Sequence, residues 1–106
     1  MHVKVIEAQI RPGKMEGAIE IFKDMFGAVP TQEYGLISAQ LLTSSGTGRV
    51  LMLLVWEHGS DLSAMEARGY FQTQIARFQP VLAAPAHVDR YEVSVPAAPE
   101  GIEDPG

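Results

Sequence analysis

The hydrophobic pattern of this chain is densest from Val50 to Trp56, where seven apolar residues follow one another without a polar interruption. A strand with one face in water alternates apolar and polar residues, so both faces of this strand must be covered. The helices of so short a chain can cover one face of its sheet. The simplest cover for the other face is a second copy, and the pattern therefore predicts a homodimer.

The pattern also predicts four strands, bounded by Gly, Pro and Ser and rich in Val, Ile and Leu. They are Val3–Arg11, Gly35–Thr43, Arg49–His58 and His87–Val95. The glycine-rich segment from Ser44 to Gly48 is typical of a hairpin loop between the second and third strands.

Two helical regions lie between these strands. Apolar residues at three- and four-residue spacing from Met15 to Val29 predict the first, which Gly27 and Pro30 end. The second is expected to begin with Ser60 and Asp61 as N-caps, to kink or split at Gly69, and to end or restart at Pro80.

The predicted order is β-α-β-β-α-β. Two right-handed crossovers then give a ferredoxin-like α+β fold, with a four-stranded antiparallel sheet, both helices on one face, and strands one and three at the centre. We expect one domain over residues 1–95 and a flexible C-terminal tail over 96–106, where no apolar period is present.

Alternation along each strand assigns residues to faces. The aliphatic sets, which include Ile6, Ala8 and Leu53, are expected to face the helices. The uncovered face would then carry the residues that we predict as the dimer interface. These are Met52, Leu54, Trp56, Arg90 and Glu92.

Composition narrows the class of protein. The formal net charge is −5, and the eight basic residues are scattered, which argues against a nucleic-acid partner or an anionic membrane surface. The chain has no cysteine, which excludes disulfides, thiolate catalysis and cysteine metal sites. Neither a secretory signal nor a membrane-spanning run is evident, so a cytoplasmic protein is expected.

Glu7 is the candidate catalytic residue. A glutamate on a central strand is expected to be partly buried, and partial burial would suit it to proton transfer. The alternative is an ion pair with Arg90 or Arg11 across the dimer, which is the commoner state of a buried charge.

Aromatic residues and one arginine could line a pocket between sheet and helices. Such a lining suits a flat organic ligand. The candidates are Tyr34, Tyr70, Phe71, Arg77 and Phe78. The alternative is core packing for the aromatic residues and a solvated helix face for Arg77. The three histidines fall at different strand ends, too far apart within one chain for a complete metal site, so no metal is expected.

The chain resembles the antibiotic biosynthesis monooxygenase-like family of dimeric α/β barrels in its order of elements and in four short sequence segments. They are Ile10–Lys14 at the first strand-to-helix turn, Gly35, Leu53–Glu57, and Val88–Val93. The resemblance implies a homodimer whose two sheets form a barrel, with a pocket between each sheet and its helices. Some members of that family oxidise polycyclic aromatic substrates with oxygen and no cofactor, others degrade haem, and many have no established activity, so the fold alone does not select among these.

The departures from that family bear on the reaction. The chain has no asparagine, whereas the haem-degrading members use one on the first strand, where Glu7 stands here. It also has no histidine between Gly59 and Ala86, where those members place their iron ligand. Haem degradation is therefore not expected. The two hypotheses are a cofactor-independent monooxygenase-like dimer that binds a small hydrophobic molecule, and a non-catalytic ligand-binding or accessory dimer. An isomerase or cyclase of the same barrel type also stays open.

Overall fold

In a computed structural model, the chain folds into four strands and three short helices. The structure describes residues 1–27, 35–44 and 46–97. The strands are β1 (His2–Gln9), β2 (Leu36–Ser44), β3 (Arg49–Trp56) and β4 (His87–Glu92). The helices are α1 (Met15–Gly27), α2 (Gly59–Ala67) and α3 (Tyr70–Ala76), followed by a 3₁₀ turn at Gln79–Val81.

The strands form one antiparallel sheet in the order β2-β3-β1-β4. This confirms the ferredoxin-like prediction, including the central positions of the first and third strands. The register places Ile6 opposite Met52 on β3 and Val88 on β4, and Lys4 opposite Leu54 and Arg90.

The second helical region is divided where the sequence predicted. Gly69 has a φ of 71°, a left-handed conformation that glycine adopts without the steric cost of a Cβ, and it separates α2 from α3. The predicted N-caps are wrong: α2 begins after His58, which makes no side-chain capping bond. β4 also ends at Glu92, before the predicted Val95, and residues 98–106 lie outside the described residues.

We call the side of the sheet under the helices the inner face, and the other side the outer face. β1 contributes Lys4, Ile6 and Ala8 to the inner face, and for Ile6 and Ala8 this confirms the prediction from alternation. Together with residues of α1, α2 and α3, the inner face forms a single core. In the described part of the chain, no helix is both long and apolar enough to cross a bilayer.

The face assignment was wrong on β3. Met52, Leu54 and Trp56 are at most 3% exposed in the single chain, because they lie under the helices. Leu51, Leu53 and Val55 are partly exposed on the outer face. Both sets are apolar, so side-chain chemistry could not tell them apart. The pairing of β3 with β1 decided the question.

The assignment was also reversed on β4. Arg90 pairs with Lys4 and therefore points to the inner face, and Glu92 shares that face by alternation. Tyr91 lies opposite Val3 on the outer face and is 54% exposed. β4 is an edge strand, so a long arginine on its inner side can reach α2 at the margin of the helices without entering the core.

Candidate functional site

A buried lysine stands on the inner face of β1. Lys4 is 6% exposed, and its Nζ atom donates a hydrogen bond of 2.9 Å to Oε2 of Glu66 on α2. The same Nζ lies 3.9 Å from the centroid of the Phe71 ring on α3, within the range of a cation–π contact. A lysine is rarely buried without such partners, because desolvation of the ammonium is costly.

Glu66 also binds a second cation. Nη1 of Arg90 donates to Oε1 of Glu66 at 3.2 Å and to the Ser63 hydroxyl at 3.3 Å, and Nη2 donates to the carbonyl of Gly59 at 3.3 Å. Arg90 thereby ties the edge strand β4 to the first two turns of α2. We call Lys4, Glu66 and Arg90 the charged cluster.

Two aromatic rings adjoin the charged cluster. Trp56 is fully buried and meets the Phe71 ring edge to face, with centroids 5.6 Å apart. Tyr70 meets the same ring edge to face at 5.7 Å. Among the described residues, the indole Nε1 of Trp56 has no hydrogen-bond partner, although most buried polar atoms have one.

The glycine at the start of α2 permits this arrangement. A Cβ at Gly59 would lie 2.9 Å from Cε1 of His2 and 3.2 Å from Nη2 of Arg90. His2 also lies beside the exposed Glu92, with 3.5 Å between Nδ1 and Oε1, and that approach does not meet hydrogen-bond geometry. A side chain at position 59 would therefore displace the side chains of His2 and Arg90 from their present positions.

Two cavities lined by described residues lie away from the charged cluster. One of about 470 Å³ lies between the turn after β1 and the β2–β3 hairpin, and its lining includes Arg11, Met15 and Thr47. The other, of about 330 Å³, opens on the outer face beside Glu7, Arg49 and His87. We favour the charged cluster over the larger cavity as the candidate site, because buried donors without acceptors indicate a ligand more directly than empty volume does.

Comparison with known proteins identifies the family. Residues 1–77 match the family model described as antibiotic biosynthesis monooxygenase. The chain belongs to this family. No curated protein sequence matches it.

Solved structures show the same fold. A protein from Deinococcus radiodurans that carries the family name has a TM-score of 0.74 at 14% identity, covering 95% of this chain and all of its own. One from Nitrosomonas europaea with the same family name has a TM-score of 0.72 at 18% identity, covering 90% and 100%. An arginine-to-serine variant of MhuD, with two manganese protoporphyrin IX molecules bound per active site, has a TM-score of 0.70 at 22% identity, covering 93% and 100%. At these identities the likeness shows the fold alone.

The predicted pocket residues of this family member are only partly brought together. Tyr70 and Phe71 adjoin the charged cluster. Phe78 is buried in the core, and Arg77 lies on the helix surface, where it pairs with Asp24 of α1. Tyr34 lies outside the described residues.

Glu7 faces away from the charged cluster. It lies on the outer face, as its alternation with Ile6 and Ala8 predicted, and its side chain is 47% exposed, so the expected partial burial is not found in the single chain. Within the single chain its partner is Arg49, with 3.6 Å between Nε and Oε1. Arg90 is bound to Glu66.

The structure also changes which residues are available for the predicted dimer interface. Because Met52, Leu54 and Trp56 lie under the helices and Arg90 binds α2, an interface on the outer face would use Leu51, Leu53 and Val55 instead. Glu92 remains exposed at the sheet edge. Among the described residues, no group of three or more histidine, aspartate or glutamate side chains could hold a metal ion.

Sequence reasoning missed Lys4 and Glu66. A signal for Lys4 was present, because the inward set Ile6, Ala8 and Ile10 continues backward by two residues to position 4. A charged residue in an inward-facing position is a stronger indication of function than one on a surface. No comparable signal marked Glu66, which is 62 residues from Lys4 and meets it only after α2 packs on the sheet.

Proposed function

We propose that this family member forms a homodimer through its outer sheet face and binds a small aromatic molecule at the charged cluster, between the inner face and α2–α3. A monooxygenase reaction without a bound cofactor is the activity that we assign to this site. Family membership supports the reaction class, and the structure supplies groups that suit it.

The observation that carries the proposal is the ammonium of Lys4, buried over the Phe71 ring and beside Trp56. An aromatic wall with a few polar groups is the usual make-up of a site for a flat organic ligand. A buried cation in such a wall stabilises negative charge that develops on the ligand, and it does so more strongly than in water.

The chemistry of the proposed reaction needs that stabilisation. In oxygenation at the ring CH₂ group of the keto tautomer of a hydroquinone-type substrate, the substrate supplies the electrons: a C–H proton is removed and the resulting carbanion reacts with O₂. One oxygen atom then stands as C=O in place of the two hydrogens, and the other leaves with those hydrogens as water. Lys4 would stabilise the anion, and Glu66, which binds both Lys4 and Arg90, is the carboxylate that we assign to take the proton.

A second candidate is a non-catalytic ligand-binding or accessory dimer. The observation that favours it is the dense packing under α2, where Trp56, Leu62 and Met65 are at most 1% exposed. A site that must admit O₂ and a ring has to open this packing. An isomerase or cyclase of the same barrel type would use the same site.

Oxygen uptake in the presence of hydroquinone-type substrates tests the activity. We expect Lys4→Met to lower the rate at least about tenfold, the scale of one lost electrostatic stabiliser, and Glu20→Gln on the exposed side of α1 to leave it unchanged. Glu7→Gln tests the proton-transfer role predicted for Glu7. Uptake that falls with Glu7→Gln and not with Lys4→Met would move the reaction to the outer face. No uptake by the wild-type protein would favour the accessory dimer.

A further inference from the structure

Two buried hydrogen-bond donors beside Phe71 have capacity that the described residues do not use. The ammonium of Lys4 has three N–H groups, and within the described part of the chain its one hydrogen-bond acceptor is Glu66. The indole N–H of Trp56 has no acceptor there at all. Buried donors in folded proteins are normally paired, so we expect an acceptor atom beside these two donors.

The side chains that carry these two donors both contact the Phe71 ring. Lys4 lies opposite Leu54 on β3, two residues before Trp56, so Lys4 and Trp56 are diagonal neighbours on the same face of the sheet. Each also contacts the same ring, since Lys4 Nζ lies over the face of Phe71 and the Trp56 ring meets it edge to face. A single ligand lying against Phe71 could therefore accept from both.

The charge balance at this location is positive. One carboxylate, Glu66, faces two cations, Lys4 and Arg90. The next carboxylate, Glu92, is 72% exposed, where water screens it from the buried Nζ. An acceptor that carries negative charge would balance the cluster, whereas a neutral acceptor would leave the excess in place.

We infer that Lys4 and Trp56 together bind an ionised oxygen attached to an aromatic ring, of the phenolate or enolate class, and that Arg90 is a positioning residue that orients Glu66. This inference rests on the proposed function and deepens it, because it names the ionised form as the species that the site selects. A phenol ether or a neutral arene of the same shape would bind more weakly. Arg90 acts through Glu66 and does not touch the ligand.

A matched pair of ligands tests the inference. 2-Hydroxy-1,4-naphthoquinone is a vinylogous acid that is ionised at neutral pH, and its methyl ether has the same rings without the charge. We expect the wild-type protein to bind the acid at least about tenfold more tightly than the ether, as a charge-assisted hydrogen bond requires. Lys4→Met should abolish the preference, while Lys23→Met, which removes an exposed cation on α1 outside the cluster, should retain it.

The single tryptophan gives an independent signal. Because Trp56 is the one tryptophan in the chain, the indole N–H produces one ¹H–¹⁵N resonance that needs no assignment. The acid should move the indole proton downfield as the hydrogen bond forms, and the ether should not. Arg90→Lys should keep the preference for the acid, and Arg90→Met should weaken it, since Glu66 loses its second partner.

The outcomes separate the two proposals. Equal binding of acid and ether, with the indole resonance unmoved, would overturn oxyanion recognition while ligand binding stands; an ordered water would then be the acceptor. Failure of the wild-type protein to bind either compound would overturn both. The wild-type comparison and the indole signal remain decisive even if Lys4→Met does not fold.

Discussion

Lys4 shows how a single residue depends on its surroundings. Its burial is compatible with folding because Glu66 neutralises the ammonium and Phe71 offers the negative face of its ring. The pair is asymmetric, since Glu66 also binds Arg90 and reaches the margin of the helices, whereas Lys4 lies within. Removing either partner should therefore have different consequences for stability.

We expect Glu66→Gln to lower the free energy of unfolding by about 2 kcal/mol, because a buried cation loses its counter-charge. Lys4→Met replaces the buried ammonium with an apolar chain of similar length and should change stability by less than about 1 kcal/mol. Urea denaturation measures both.

The control for this pair is Glu20→Gln. Glu20 forms an exposed i,i+3 pair with Lys23 on α1, and such pairs contribute little, so a change below about 0.5 kcal/mol is expected. A loss for Lys4→Met as large as that for Glu66→Gln would mean that Lys4 is required for packing and not as a functional charge.

At the scale of elements, the start of β2 is positioned by the first turn of α2. Gly35 has a φ of 67°, and a Cβ there would lie 2.5 Å from Oδ2 of Asp61. Asp61, expected from the sequence to cap α2, therefore lies within the helix against the backbone of the strand entry. This contact closes the sheet against α2 near Trp56, which pairs with Leu36 at the first position of β2.

Gly35→Ala should destabilise the protein by about 2 kcal/mol, from positive φ together with overlap on Asp61. Gly13→Ala is the matched comparison, because Gly13 has a φ of 78° but nothing within 4 Å of its added Cβ, so only about 1 kcal/mol of backbone strain is expected. Thermal unfolding of the two variants measures the difference.

The double variant Gly35→Ala with Asp61→Ala separates backbone strain at Gly35 from overlap with Asp61. Its stability should recover by the part of the loss that comes from overlap, and the loss from backbone strain should remain. Equal losses for the two single glycine variants would show that Asp61 moves aside without cost.

At the scale of the whole molecule, the outer face is the part of the sheet whose apolar side chains the single chain leaves partly exposed. Leu51, Leu53 and Val55 lie partly exposed on the central strand β3, and the two edge strands add Leu42 and Tyr91, which are 45% and 54% exposed. A contiguous apolar surface on a sheet is typical of an interface. The Glu7–Arg49 and His87–Asp89 pairs form a charged margin at one end of this surface.

We expect the wild-type protein to have twice the 11.5 kDa mass of one chain in solution, and Leu53→Asp to convert it to a monomer. Light scattering coupled to size-exclusion chromatography measures both masses. Ala64→Asp, the same kind of change on the exposed side of α2, should remain dimeric. A wild-type mass of 11.5 kDa would contradict the dimer and require another cover for the outer face.

Local patterns determined much of this protein before any contact was known. Alternation and helical spacing gave the order of elements, the central position of β3, the break at Gly69 and the face of Ile6 and Ala8, because each depends on periodicity or on glycine geometry within a few residues. The family resemblance also followed from short signatures, and the family model confirmed it.

Tertiary structure alone decided the rest. The two faces of β3 are both apolar, so only its register with β1 placed Trp56 and Leu54 inside. The charged cluster joins β1, α2 and β4, three elements far apart in the chain, and the pairing of Lys4 with Glu66 exists only after they pack. A sequence shows that a charge lies on an inward face, but its partner is determined by three-dimensional proximity, which no local period encodes.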